Sequence, residues 1–129
     1  MLPDRDALLA GYALYAKQNR LPPDCDEARL AEALGEAVSL AGGREQDEPA
    51  ALFLALTRRP RVFGRAHGRM TLHVAVAHAR ALGFAFTTDL AVLELMRARI
   101  LRERLGFEEL RDWLAAHLEP LSRKPWPPR

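Results

Sequence analysis

Apolar residues recur every three or four positions along most of this chain, the pattern of helices that bury one face. Leu8, Leu9, Tyr12 and Tyr15 mark a first helix from about Asp4 to Asn19, opened by Pro3 and Asp4 and stopped before Leu21-Pro22-Pro23. A second helix starts near Asp24 or Asp26, carries Leu30, Leu34 and Val38 on one face, and ends at Gly42-Gly43. Pro49 suits a first helical position and Leu52, Phe53 and Leu56 the buried side of a short third helix, closed by Arg58-Arg59-Pro60. From Gly68 or Arg69 a fourth helix runs through Met70, Leu72, Val74, Val76, Ala77 and Leu82, apolar on nearly all sides, which predicts a central place in the fold; Gly83 follows as its C′ residue. Thr87, Thr88 and Asp89 offer caps for a fifth helix with Leu90, Leu93, Met96 and Ile100. Gly106 separates it from a sixth with Phe107, Leu110, Trp113, Leu114 and Leu118 facing inward. No alternating strand pattern of useful length and no internal repeat is present. The expectation is an all-α domain of about six helices around a central apolar helix, spanning 1–118. A basic tail, 119–129, has four prolines in eleven residues and is expected to be mobile.

Composition adds bounds to this picture. At 129 residues and 49% apolar, the chain suits one domain with a single core. Nineteen Lys and Arg against 17 Asp and Glu leave a formal charge of only +2, which does not by itself point to nucleic acid. Cys25 is the only cysteine, so an internal disulfide is excluded and a reducing, cytoplasmic setting is the natural expectation. The start, Met1-Leu2-Pro3-Asp4, does not read as a signal peptide, and the apolar runs are too short to span a bilayer, so no membrane role is expected.

The chemistry concentrates in Arg61-Val62-Phe63-Gly64-Arg65-Ala66-His67-Gly68-Arg69, between the third and fourth helices. A helix N-terminus presents unpaired N–H groups and a partial positive charge, so the amides of Gly68 and Arg69 suit a phosphate. Glycine at 68 allows close approach, and Arg65 and Arg69 add guanidinium donors that fit a phosphate with two hydrogen bonds.

Phe63, Ala66, Gly68 and Arg69, followed by Thr71-Leu72, resemble the loop H-x-F-x-[DE]-[GA]-N-[GK]-R of the Fic/Doc family. In length and helix order the chain resembles above all the compact Doc (death-on-curing) toxins, over about Ala7 to Leu118. Glu27-Ala28-Arg29-Leu30-Ala31-Glu32-Ala33-Leu34 and Ala79-Arg80-Ala81-Leu82-Gly83-Phe84 are similar to flanking family helices. The resemblance implies a compact helical fold, with Phe63 anchoring the loop and Arg69 holding phosphate. It also implies transfer of a phosphate or nucleotide from a nucleoside triphosphate to a protein hydroxyl, and an antitoxin partner that folds on the toxin as a helix. Three positions depart from it. Arg61 stands in place of the histidine general base and cannot take a proton. Arg65 replaces the acidic residue that helps hold magnesium, and a cation there repels the metal. His67 replaces an asparagine that positions phosphate. The expected function is therefore that of a Doc-like, toxin-type component of a toxin–antitoxin system, or a descendant of one. It would bind ATP, another nucleotide or a phosphate-bearing ligand without magnesium, and its transferase chemistry would be impaired. The alternative is an active phosphotransferase or nucleotidyltransferase with His67 as reassigned base.

Other reactive residues fit plainer roles. His73 and His78 lie five apart on one helix and make a poor metal pair, so no metal site is expected, and His117 reads as a surface residue. Cys25 has acidic neighbours rather than basic ones, which favours an inert thiol. Arg97, Arg99, Arg102 and Arg104 interleave with Glu94 and Glu103 as on a solvated helix face. Trp126 sits among the prolines of the tail.

Overall fold

The computed structural model describes residues 1–121. Six helices follow one another: α1 (Arg5–Gln18), α2 (Glu27–Ala41), α3 (Glu48–Thr57), α4 (His67–Ala81), α5 (Leu90–Glu103) and α6 (Phe107–Ala115). The all-α class is therefore as the periodicity predicts. Caps fix three of the starts. Asp4, Asp26 and Asp89 each accept a backbone N–H through the side chain, from Ala7, Arg29 and Val92 respectively. Gly42 closes α2 in the left-handed conformation at φ 58°, which a side chain at that position would resist.

The buried centre is α3, not α4. All ten residues of α3 are buried, because Pro49-Ala50-Ala51-Leu52-Phe53-Leu54-Ala55-Leu56 is apolar on every face. In α4 eight of fifteen residues are buried, while Arg69, His73 and Arg80 keep one side in solvent. Around α3 lie two apolar clusters. The first joins Leu8, Tyr12, Leu30, Leu52, Leu56 and Phe63, and the second joins Phe53, Leu54, Leu72, Leu93, Met96, Leu110 and Leu114.

In α2 the stripe facing α3 is Leu30, Ala33, Ala37 and Ala41, with Leu34 half-buried and Val38 60% exposed. The sequence reading followed the larger side chains, whereas close packing of two helix backbones selects alanine. Leu90, expected inward on α5, is likewise exposed at 52%.

Two short strands complete the fold. β1 (Phe84–Phe86) pairs antiparallel with β2 (Leu118–Pro120) in the register Phe84↔Pro120, and the Leu121 N–H donates to the Gly83 carbonyl at 2.9 Å. Three residues are too few to display a period of two, so the pattern gave no warning. Residues 119–121, which the reading assigned to the tail, thus belong to the domain; the rest of the tail, including Trp126, lies outside the described residues. Among the described residues no helix is long and apolar enough to cross a membrane.

Candidate anion site

The loop between α3 and α4 is held by its apolar members. Phe63 is fully buried, its ring centroid 5.0 Å from that of Tyr12, and its carbonyl accepts the Tyr12 hydroxyl at 3.0 Å. The Val62 carbonyl accepts the Asp26 N–H at 2.9 Å, which ties the loop to the start of α2. Arg61 adopts φ 71°, a conformation costly for a residue with a side chain. Its carbonyl closes a turn on the Gly64 N–H at 3.0 Å. A short 3₁₀ turn, Gly64–Ala66, then leads into α4.

His67 opens α4 with its ring turned inward. The imidazole is 6% exposed; Nε2 donates to the Leu56 carbonyl at 2.7 Å, and Nδ1 accepts the Phe63 N–H at 3.3 Å. A carbonyl only accepts and an N–H only donates, so these two bonds select the neutral tautomer with hydrogen on Nε2. Burial lowers the basicity of the ring, the hydrogen bond to Leu56 raises it, and the positive charge of Arg97 lowers it further. Both ring nitrogens are committed to backbone groups, and the side chain is buried. In this arrangement His67, expected as a reassigned base, instead joins the end of α3 to the loop, and proton transfer through it would require one of these bonds to be given up.

The guanidiniums lie on the other side of the loop. Arg65 and Arg69 are exposed and, with Gly68, line a cleft of about 890 Å³. One wall comes from α1 through Tyr15, Gln18 and Asn19, and the opposite wall from α5 through Leu90, Ala91, Glu94 and Arg97. Leu72 and His73 of α4 continue the floor, the His73 ring lying 5.3 Å from that of Tyr15. Arg61, although exposed, does not line this cleft. Three of the sequence-designated residues, Arg65, Gly68 and Arg69, thus come together, while Phe63 and His67 anchor the loop from the core side.

Sequence reasoning missed the contribution of α5. Arg97 donates from Nε to both carboxylate oxygens of Glu94 at 3.1 Å and lies over Gly68, where a Cβ would meet the guanidinium carbon at 3.1 Å. Its basicity is raised chiefly by the hydrogen bond to Glu94. The space that glycine leaves at 68 is therefore taken by a guanidinium rather than left open to an incoming anion. The sequence signal was the i, i+3 spacing of Glu94 and Arg97, which on its own reads as an ordinary surface ion pair. With Glu94 offsetting one charge, the cations of the cleft still outnumber its carboxylates.

The remaining candidates lie elsewhere. His78 is buried and paired through Nε2 with Glu48 at 2.7 Å, a structural contact between α4 and the start of α3. His117 is half-buried, stacked on Trp113 at 4.2 Å, with Nδ1 donating to the Trp113 carbonyl at 2.7 Å. The Cys25 thiol is pushed up by burial and then by Glu27 and Asp26, which keeps it protonated. Arg99 pairs with Glu103 at 2.9 Å on the exposed face of α5. Among the described residues no three His, Cys, Asp or Glu side chains gather as a metal site.

Comparison with protein-family models, curated proteins and solved structures finds no match for this chain.

Proposed function

We propose that this protein is a Doc-like, toxin-type component of a toxin–antitoxin system, or a descendant of one, that binds a phosphate-bearing ligand in the cleft between α1, α4 and α5 without carrying out the standard transfer. The observation that carries the reading is the convergence of Arg65, Gly68 and Arg69 on one cleft beside the start of a helix. Guanidiniums and a positive helix end both favour an anion, and phosphate is the anion whose shape a guanidinium fork matches. ATP or another nucleotide is the ligand class carried over from the resemblance, and the antitoxin-like partner rests on it too, whereas a cytoplasmic location rests on the single cysteine. A cation at 65 makes binding independent of magnesium. Against turnover stands the absence of a base at the loop: Arg61 is cationic, and His67 is buried with both nitrogens engaged.

An active transferase remains the second reading, but on different residues. His73 lines the cleft near Arg69 and is the imidazole that would have to receive the proton of a target hydroxyl.

Isothermal titration with phosphate and nucleotides, with and without magnesium, separates these readings. Arg69→Ala should weaken binding by about 10- to 100-fold, the worth of a charge-assisted hydrogen bond. As an exposed residue, Arg69 should leave the melting temperature nearly unchanged when replaced. Equal affinity in wild type and Arg69→Ala would sink the proposal, whereas product formation lost in His73→Ala would favour the transferase.

A further inference from the structure

Two elements bring guanidiniums to the cleft, and the second is one that the loop does not include. Arg65 and Arg69 belong to the turn before α4 and its first residues, whereas Arg97 reaches in from α5. We propose that Arg97 is a ligand-binding residue that sets the length of the anion, adding to the Arg65 and Arg69 side a second contact suited to a chain of two or more phosphoryl groups. This inference rests on the anion-binding reading above and extends it to a residue outside the loop.

The local geometry of Arg97 supports the role. The guanidinium presents two donor edges. Glu94 occupies the one formed by Nε and Nη2, bonding both atoms. Nη1 has no hydrogen-bond partner among the described residues, so the edge formed by Nη1 and Nη2 keeps donors for a second acceptor. Movement of the group is restricted from both sides. Glu94 holds it one turn back along α5, and the backbone of Gly68 lies against Nε, Cζ and Nη2, all within 3.3 Å of where a Cβ would stand. The side chain is only 22% exposed, so little rotamer freedom is left to lose on binding. A guanidinium held in this way is a pre-aimed fork, the arrangement that recognises phosphate with two bonds.

Cleft size points the same way. About 890 Å³ lies in the range of sites for drug-sized molecules and far exceeds a single phosphate, so the cleft has room for a chain of phosphoryl groups. An oligophosphate, free or as part of a larger molecule, would engage Arg97 together with Arg65 and Arg69.

The test uses inorganic phosphate, pyrophosphate and tripolyphosphate, titrated calorimetrically without magnesium into wild type, Arg97→Ala, Arg97→Lys and Arg69→Ala. Wild type should prefer pyrophosphate to phosphate by about ten-fold or more. Arg97→Ala should abolish that preference while phosphate affinity stays within about two-fold, and Arg97→Lys, which keeps charge but not the fork, should restore part of it. The ratio is the decisive readout, because a merely structural arginine would weaken both anions together. A preference unchanged in Arg97→Ala, or a parallel loss of both anions, overturns the assignment of Arg97 even where Arg69→Ala abolishes binding. Failure of wild type to bind any of the three probes would overturn the underlying anion-site reading as well.

Discussion

His67 offers the sharpest test of how the loop is built. Replacing it with leucine keeps most of the volume and removes both ring nitrogens. The Leu56 carbonyl loses one of two partners, since it also accepts the Arg59 N–H at 3.1 Å, at a cost of about 0.5–1.5 kcal/mol. The Phe63 N–H loses its acceptor in a buried setting, which costs about 1–3 kcal/mol. His67→Leu should therefore lose about 1.5–4.5 kcal/mol at pH 7.5. The pH dependence has a definite sign. Burial, and after the opposing Leu56 bond the charge of Arg97, hold the folded-state ring below its ordinary value near 6.5. The unfolded chain thus binds the proton first, so the contribution of His67 is complete above about pH 6.5 and is lost as the pH falls. One proton sets a limit of about 1.4 kcal/mol per pH unit. Urea unfolding of both proteins at pH 7.5 and 5.5 should show the gap between them narrowing by up to about 1.4 kcal/mol at the lower pH. A gap that is constant or widens, or a loss under about 0.5 kcal/mol at pH 7.5, would refute the neutral clasp.

Two further substitutions probe the same scaffold. The Thr57 hydroxyl at the end of α3 is buried without a hydrogen-bond partner among the described residues, so Thr57→Val should be neutral or stabilising by up to about 1 kcal/mol in thermal unfolding; clear destabilisation would mean the hydroxyl is satisfied in solution. Tyr12→Phe removes a donor shared by the carbonyls of Phe63 and Pro22, while Phe63 keeps the Ala66 N–H. A loss of about 0.5–1.5 kcal/mol by urea titration is expected, and an unchanged midpoint would show that the hydroxyl does not brace the loop.

Helix existence and order were legible in the sequence because amphipathic periodicity and caps are local signals. Asp4, Asp26 and Asp89 cap where expected, and Phe63 anchors the loop. What the sequence concealed was relational. Small residues, not large ones, face α3 from α2, and a helix of ten residues rather than one of fifteen sits at the centre. Arg97 was hidden because nothing along the chain links position 97 to position 68; only the crossing of α4 and α5 brings them together. The inward place of His67 was hidden for a related reason. A histidine in a polar run looks available, yet the first turn of α4 directs it at the end of α3.

Within the nine residues from 61 to 69, inward and outward positions are interleaved: Val62, Phe63, Ala66 and His67 are buried, while Arg61, Arg65 and Arg69 are exposed. Exchange of an exposed member typically changes stability by less than about 0.5 kcal/mol, so the charge that Arg65 and Arg69 present to the cleft can be altered without disturbing the buried set. On such a scaffold the chemistry presented to the cleft and the packing that holds the loop can be redesigned separately, by exchanges that folding does not police.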